Sequence, residues 1–137
     1  MSYQTSIVNI KVEYSHTDKM GYVHHSQYLI YYEYARWEFL RNLGISYKNI
    51  EKDGVMMPVI SAKLKFLKPA FYDDKLKIYT KLKVDGAKFI FRHKIYNGIM
   101  EQINTGEVKV VCVDGKSRKP VKPTGKINDL LNEIANK

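Results

Sequence analysis

The chain is 137 residues long, enough for one domain spanning 1–137 with its own core and too short for two. Its 45% hydrophobic content excludes a disordered chain, and its single cysteine, Cys112, excludes an intrachain disulfide and suits a reducing cytoplasm. A formal charge of +9 calls for an anionic partner (nucleic acid, a membrane surface, a phosphorylated cofactor or an acidic carrier protein) or for a plain lysine-rich surface.

In chain order, TSIVNIKVEY (5–14) alternates apolar and polar residues and predicts a strand. The start lacks the continuous apolar run of a signal peptide, and no stretch approaches the ~18 apolar residues of a membrane span. A turn-like loop with Ser15, Asp18 and Gly21 follows. From Ser26 the period changes: Tyr28, Tyr31, Tyr32, Ala35 and Phe39 fall on one face of a helix. Ser26 as N-cap and Gly44 as stop bound that helix at about residues 26 to 43. Leu29, Ile30, Trp37 and Leu40 add apolar surface elsewhere on it, which predicts burial on more than one side.

ISYKNIEKDG reads as a loop or short helical turn. Then period two returns: 55–70 as one extended run with Pro58 at an edge or bulge, 74–84, 88–98 and 104–114, with turns at Asp85-Gly86 and Asn97-Gly98. A short helix from about Ile127 closes the chain. Strand, long helix and four strands predict an α+β domain whose curved antiparallel sheet wraps around one central helix. The lysines spread through the later strands instead of forming a basic tail, which argues against nucleic acid.

HTDKMGYVHHSQYLIYYEYARWEFLRNLG (16–44) resembles the signature of the hotdog-fold acyl-CoA thioesterases of the 4-hydroxybenzoyl-CoA thioesterase group. Its pattern is matched by Thr17-Asp18, Gly21, Val23, His25, Tyr28, Glu33, Ala35 and Arg36. PVISAKLKFLKPAFYDD and VKVVCVDGKSRKPVKP resemble later family segments, so the likeness spans nearly the whole chain. One departure stands out: His16 occupies the place where the family often has an acid.

The resemblance implies a hotdog fold and hydrolysis of an acyl-CoA to free acid and CoA, with no cofactor besides the CoA of the substrate. It implies Asp18 as general base or nucleophile and His25, at the helix start, as the place where the thioester carbonyl is polarised. The residues alone leave Asp18 open to plain turn capping and His25 to helix capping. Gly21 permits the turn and close substrate approach, or only the turn. Tyr28 reads as core packing or as a hydroxyl aimed at the site, and Glu33 with Arg36 as a structural pair or as subunit-contact residues. Ser61, Lys63, Lys68, Lys88 and Arg92 are the candidates for the CoA phosphates; otherwise they are a solvated face. His16, His24, His25 and Asp18 match no closed zinc spacing, so no metal is expected. Cys112 reads as core, and His93, alternating with Phe89 and Phe91, as core or interface. An acyl carrier protein is the alternative substrate carrier, and a non-catalytic acyl-CoA or nucleic-acid binder the rival class. A homodimer, extending to a homotetramer, is expected.

Overall fold

Alternation of apolar and polar residues builds five strands into one antiparallel sheet. In this computed structural model, which describes residues 5–123, 125, 127–129 and 133, they are β1 (Thr5–Lys11), β3 (Val59–Phe66), β4 (Lys75–Asp85), β5 (Lys88–Tyr96) and β6 (Gln102–Val111), in the order β1-β4-β5-β6-β3. A small second sheet pairs β2 (Val55–Met56) with β7 (Val113–Asp114). The expected single run over 55–70 therefore divides at Met57-Pro58, its two parts joining different sheets. Pro58 has no N–H to give a ladder, but its carbonyl accepts the Val111 N–H at 3.0 Å. The expected helix from Ile127 falls largely outside the described residues.

One face of the sheet is apolar. Leu76, Ile78, Leu82, Phe89, Phe91, Ile95, Val108 and Val110 are buried there, while Lys77, Lys81, Arg92 and Lys94 occupy the other face. Helix α1 (Gln27–Asn42) covers the apolar face with Tyr28, Tyr31, Tyr32, Ala35, Phe39 and Leu40, all buried. This is the predicted arrangement, the hotdog fold. Its closest fit is at Gly106 of β6, where a Cβ would lie 2.5 Å from the Tyr32 ring. Tyr32 stacks on His93 at 4.5 Å and donates its hydroxyl to Asn104 Oδ1 at 2.5 Å.

The helix ends as predicted. Gly44, at φ +84°, donates to the Arg41 carbonyl, and Ile45 to the Leu40 carbonyl, both at 2.9 Å. These two bonds make a Schellman motif. The expectation of burial on more than one side holds for Leu40, which is buried, and for Trp37, which packs against the core, but fails for Leu29 and Ile30, each about half exposed where the sheet does not cover the helix. In the β5–β6 turn, the left-handed residue is Met100 (φ +62°), not Gly98. Asn97 fixes that turn, its Oδ1 accepting the Ile99 and Glu101 N–H groups. Among the described residues, no helix is long and apolar enough to cross a membrane.

Candidate active site

Between β1 and α1 the chain makes a 3-10 turn (Tyr14–His16) and then a tight hairpin. Asp18 N–H donates to the Tyr22 carbonyl at 2.8 Å, and Gly21 N–H to the Asp18 carbonyl at 3.0 Å. Gly21 sits at φ +81°, the left-handed position that closes a three-residue hairpin loop. The Asp18 side chain belongs to the same turn: Oδ1 accepts from the Met20 N–H at 3.0 Å and the Tyr22 N–H at 3.1 Å. The carboxylate is thus held by one oxygen, and the other has no hydrogen bond among the described residues.

The hairpin is strapped to the helix entry. Thr17 bridges Val23, Val23 N–H donates to the Ala70 carbonyl at 2.8 Å, and His24 N–H donates to the His16 carbonyl at 2.9 Å. His25 follows, exposed, its ring stacked on that of His24 at 4.2 Å. Ser26 holds the N-cap position but not the expected role. Its backbone is already helical (φ −69°, ψ −23°) and its hydroxyl lies 2.7 Å from His24 Nδ1 instead of capping the first turn. The first turn carries no acidic residue and no side-chain cap. Among the described residues, no hydrogen bond engages the His25 N–H. The Ser26 N–H donates to His24 Nδ1 and the Gln27 N–H to the His24 carbonyl, so the His25 N–H and the positive end of the helix dipole are what the mouth of α1 offers.

Tyr28 lies inside, 3% exposed, edge-on to Tyr31 and Phe66. Burial pushes its phenol pKa up, against a hydrogen bond to the Ala70 backbone that acts the other way. At the hairpin lies an exposed apolar collar of Met20, Tyr22 and Phe71, with Tyr22 and Phe71 in edge contact at 5.3 Å, and Leu29 and Ile30 are exposed on the first turn of α1. This collar escaped the sequence, where Phe71 reads only as part of a loop after a strand.

The candidate phosphate contacts divide. Lys68 lies two residues before Ala70, near this end of the sheet, and is paired with Glu101. Ser61, Lys63, Lys88 and Arg92 stand on the outer face of the sheet, away from α1. Lys63 and Arg92, with Lys65, Lys81 and Lys94, line a concavity of about 1030 Å³ there; Arg92 Nε also contacts Glu107 at 3.3 Å. Glu33 and Arg36, expected as a pair, form no ion pair among the described residues; the helix ion pair is Arg41–Glu38 at 2.7 Å. Arg36 is half-buried, which pushes its pKa down, and its charge is felt by His93 inside the core. Among the described residues, no group of three or more His, Cys, Asp or Glu is placed to hold a metal ion.

Residues 12–131 match the family model described as the thioesterase-like superfamily. The acyl-CoA thioester hydrolase YbgC of Escherichia coli is 35% identical over 112 residues, 81% of this chain and 84% of that protein. The acyl-CoA thioesterase YbgC of Haemophilus influenzae is 32% identical over 114 residues, 82% of this chain and 83% of that one. The crystal structure of a DHNA-CoA thioesterase from Staphylococcus aureus superposes with a TM-score of 0.89 at 28% identity, covering 96% of this chain and 91% of that one. By the family model over residues 12–131 and the identity to YbgC along most of both chains, the chain belongs to the thioesterase-like superfamily.

Proposed function

We propose that this protein hydrolyses the thioester of an acyl-CoA to a free carboxylic acid and CoA, with Asp18 driving the attack and the mouth of α1 receiving the carbonyl oxygen. The observation that carries the reading is the strapping of the Asp18 hairpin to the entry of an uncapped helix. Asp18 Oδ2 takes a proton from water as the water oxygen bonds to the carbonyl carbon, or attacks that carbon itself and is released by water later. Negative charge gathers on the carbonyl oxygen, where the N–H of His25 and the helix dipole stabilise it; one such donor is worth about 3 kcal/mol of barrier. The C–S bond then breaks. A thiol pKa of about 8.5 lets the sulfur leave with little acid help. The acyl group is received by the apolar collar, and the CoA phosphates by Lys68 and the basic residues of β3 and β5.

Replacing Asp18 with Asn tests this cleanly. Asn keeps the oxygen that accepts the Met20 and Tyr22 N–H groups, so the hairpin stays folded while the base is gone. With acetyl-, palmitoyl- and benzoyl-CoA and a free-thiol readout, turnover should fall at least about a hundredfold at unchanged Tm. Full activity in the variant refutes the role of Asp18.

The basic outer face favours one second reading, an acidic acyl carrier protein as donor of the acyl group. Equal concentrations of the two thioesters, compared by kcat/KM, decide between them. We further propose a homodimer joined along β3, whose outer edge has no neighbour in the sheet among the described residues and whose Val59, Ile60 and Phe66 are about half exposed, with pairing of dimers into a homotetramer.

A further inference from the structure

His16, the departure from the family pattern, is built into the site. Its ring packs edge-on against Tyr31 at 5.5 Å. Its Nδ1 lies 3.0 Å from the Tyr31 hydroxyl and receives the Glu13 N–H at 3.2 Å. A backbone N–H can only donate, so Nδ1 is an acceptor, and the Tyr31 hydroxyl must donate to it. Tyr31 is only 2% exposed, and burial pushes its phenol pKa up, which keeps the proton for this bond. The remaining nitrogen, Nε2, faces the Glu13 carboxylate at 3.7 Å.

The backbone of His16 adds a second grip, since its carbonyl accepts the His24 N–H. One residue therefore holds α1 just past its first turn, through Tyr31, and holds the segment that leads into His25. Asp18 follows only two residues later. The Glu13 contacts and the 3-10 turn fix where the imidazole stands; the Tyr31 bond fixes what it stands against.

We propose that His16 is a positioning residue of the hydrolysis, setting the Asp18 hairpin in register with the mouth of α1 through its hydrogen bond to the buried Tyr31. The inference rests on the reading of Asp18 given above. Without the bond, the hairpin keeps its own internal hydrogen bonds but shifts against the helix. A displacement near 1 Å between reacting groups costs up to about a hundredfold in rate.

The test compares His16→Ala, His16→Asn, Tyr31→Phe and the His16→Ala/Tyr31→Phe double variant, with Asp18→Asn as reference, on whichever of acetyl-, palmitoyl- and benzoyl-CoA the wild type turns over fastest. Loss of the bond should lower kcat by about ten- to a hundredfold in His16→Ala and in Tyr31→Phe, with KM and Tm close to wild type. His16→Asn should recover most of the loss, because its amide oxygen falls near the place of Nδ1. The double variant should be no slower than His16→Ala alone. The inference is overturned if His16→Ala and Tyr31→Phe keep kcat within twofold of wild type while Asp18→Asn is inactive. It is equally overturned if their losses multiply in the double variant, or if the loss follows a lowered Tm that Asn does not repair. An active Asp18→Asn would instead remove the reading beneath it, a result these variants cannot mimic.

Discussion

At the scale of single residues, the core is specified most tightly where β6 passes beneath the helix. Gly106 leaves room for the Tyr32 ring, which also stacks on His93, the cross-strand neighbour of Gly106, and is held at its hydroxyl by Asn104. Gly106→Ala should therefore destabilise the protein by about 1–3 kcal/mol, read as a lower urea midpoint with unchanged slope. His93 gives a second residue-scale expectation. Burial holds its imidazole pKa down at about 3, with the Arg36 charge acting in the same direction. Unfolded, the group titrates near 6.5. Between those values the unfolded chain binds a proton that the folded chain does not. Stability is thus unaffected by this group above about pH 6.5 and is lost as pH falls toward about 3, by up to about 1.4 kcal/mol per unit. Urea unfolding from pH 7 to 4 checks this, and His93→Gln should flatten the slope. The sequence announces His93 as core or interface through its alternation with Phe89 and Phe91. It says nothing of Thr80, whose hydroxyl lies 2.8 Å from His93 Nδ1, because that partner is 13 residues away on another strand.

At the scale of elements, the helix shows what a sequence discloses and what it hides. The 3.6-residue spacing of Tyr28, Tyr31, Ala35 and Phe39 gives the buried face directly, and Gly44 gives the end. Gly44→Ala keeps every side chain yet forces a Cβ into φ +84°; about 1 kcal/mol of stability should go, measurable as a lower Tm. The start is harder to read. Serine before a periodic run normally caps, but here the neighbouring His24 competes for the Ser26 hydroxyl and N–H and wins both. Asp18 and Gly21 were legible because a hairpin turn needs those residue types locally. The link from His16 to Tyr31 was not, since it depends on the angle at which a loop returns to the helix, which tertiary packing sets. Pro58, which reads in the sequence as an edge or bulge, stands at the entry to the edge strand β3, where the register against β6 shifts between Val59 and Ser61, and it also splits the run between two sheets.

At the scale of the molecule, the two faces of the sheet have opposite characters. The inner face is closed by α1, whereas the outer face gathers Lys63, Lys65, Lys81, Arg92 and Lys94 against Glu107. Two copies placed back to back on that face would meet with like charges, so the proposed assembly is better served by the β3 edge and the exposed side of α1. Strand order carries a different consequence. β4, β5 and β6 are consecutive hairpins at the centre, whereas β1 reaches across the chain from Lys11 to Lys75 and β3 from Ser61 to Lys109. Closing such long loops costs entropy before any contact offsets it. We therefore predict that the meander gains protection first: pulsed hydrogen exchange during refolding should protect the Phe91 amide of β5 before the β1 amides that donate to β4, and the reverse order would contradict it. The Asp18 hairpin hangs from β1, so its geometry waits for the slowest closure. A nascent chain would then own most of its hydrophobic scaffold before it could cut a single thioester.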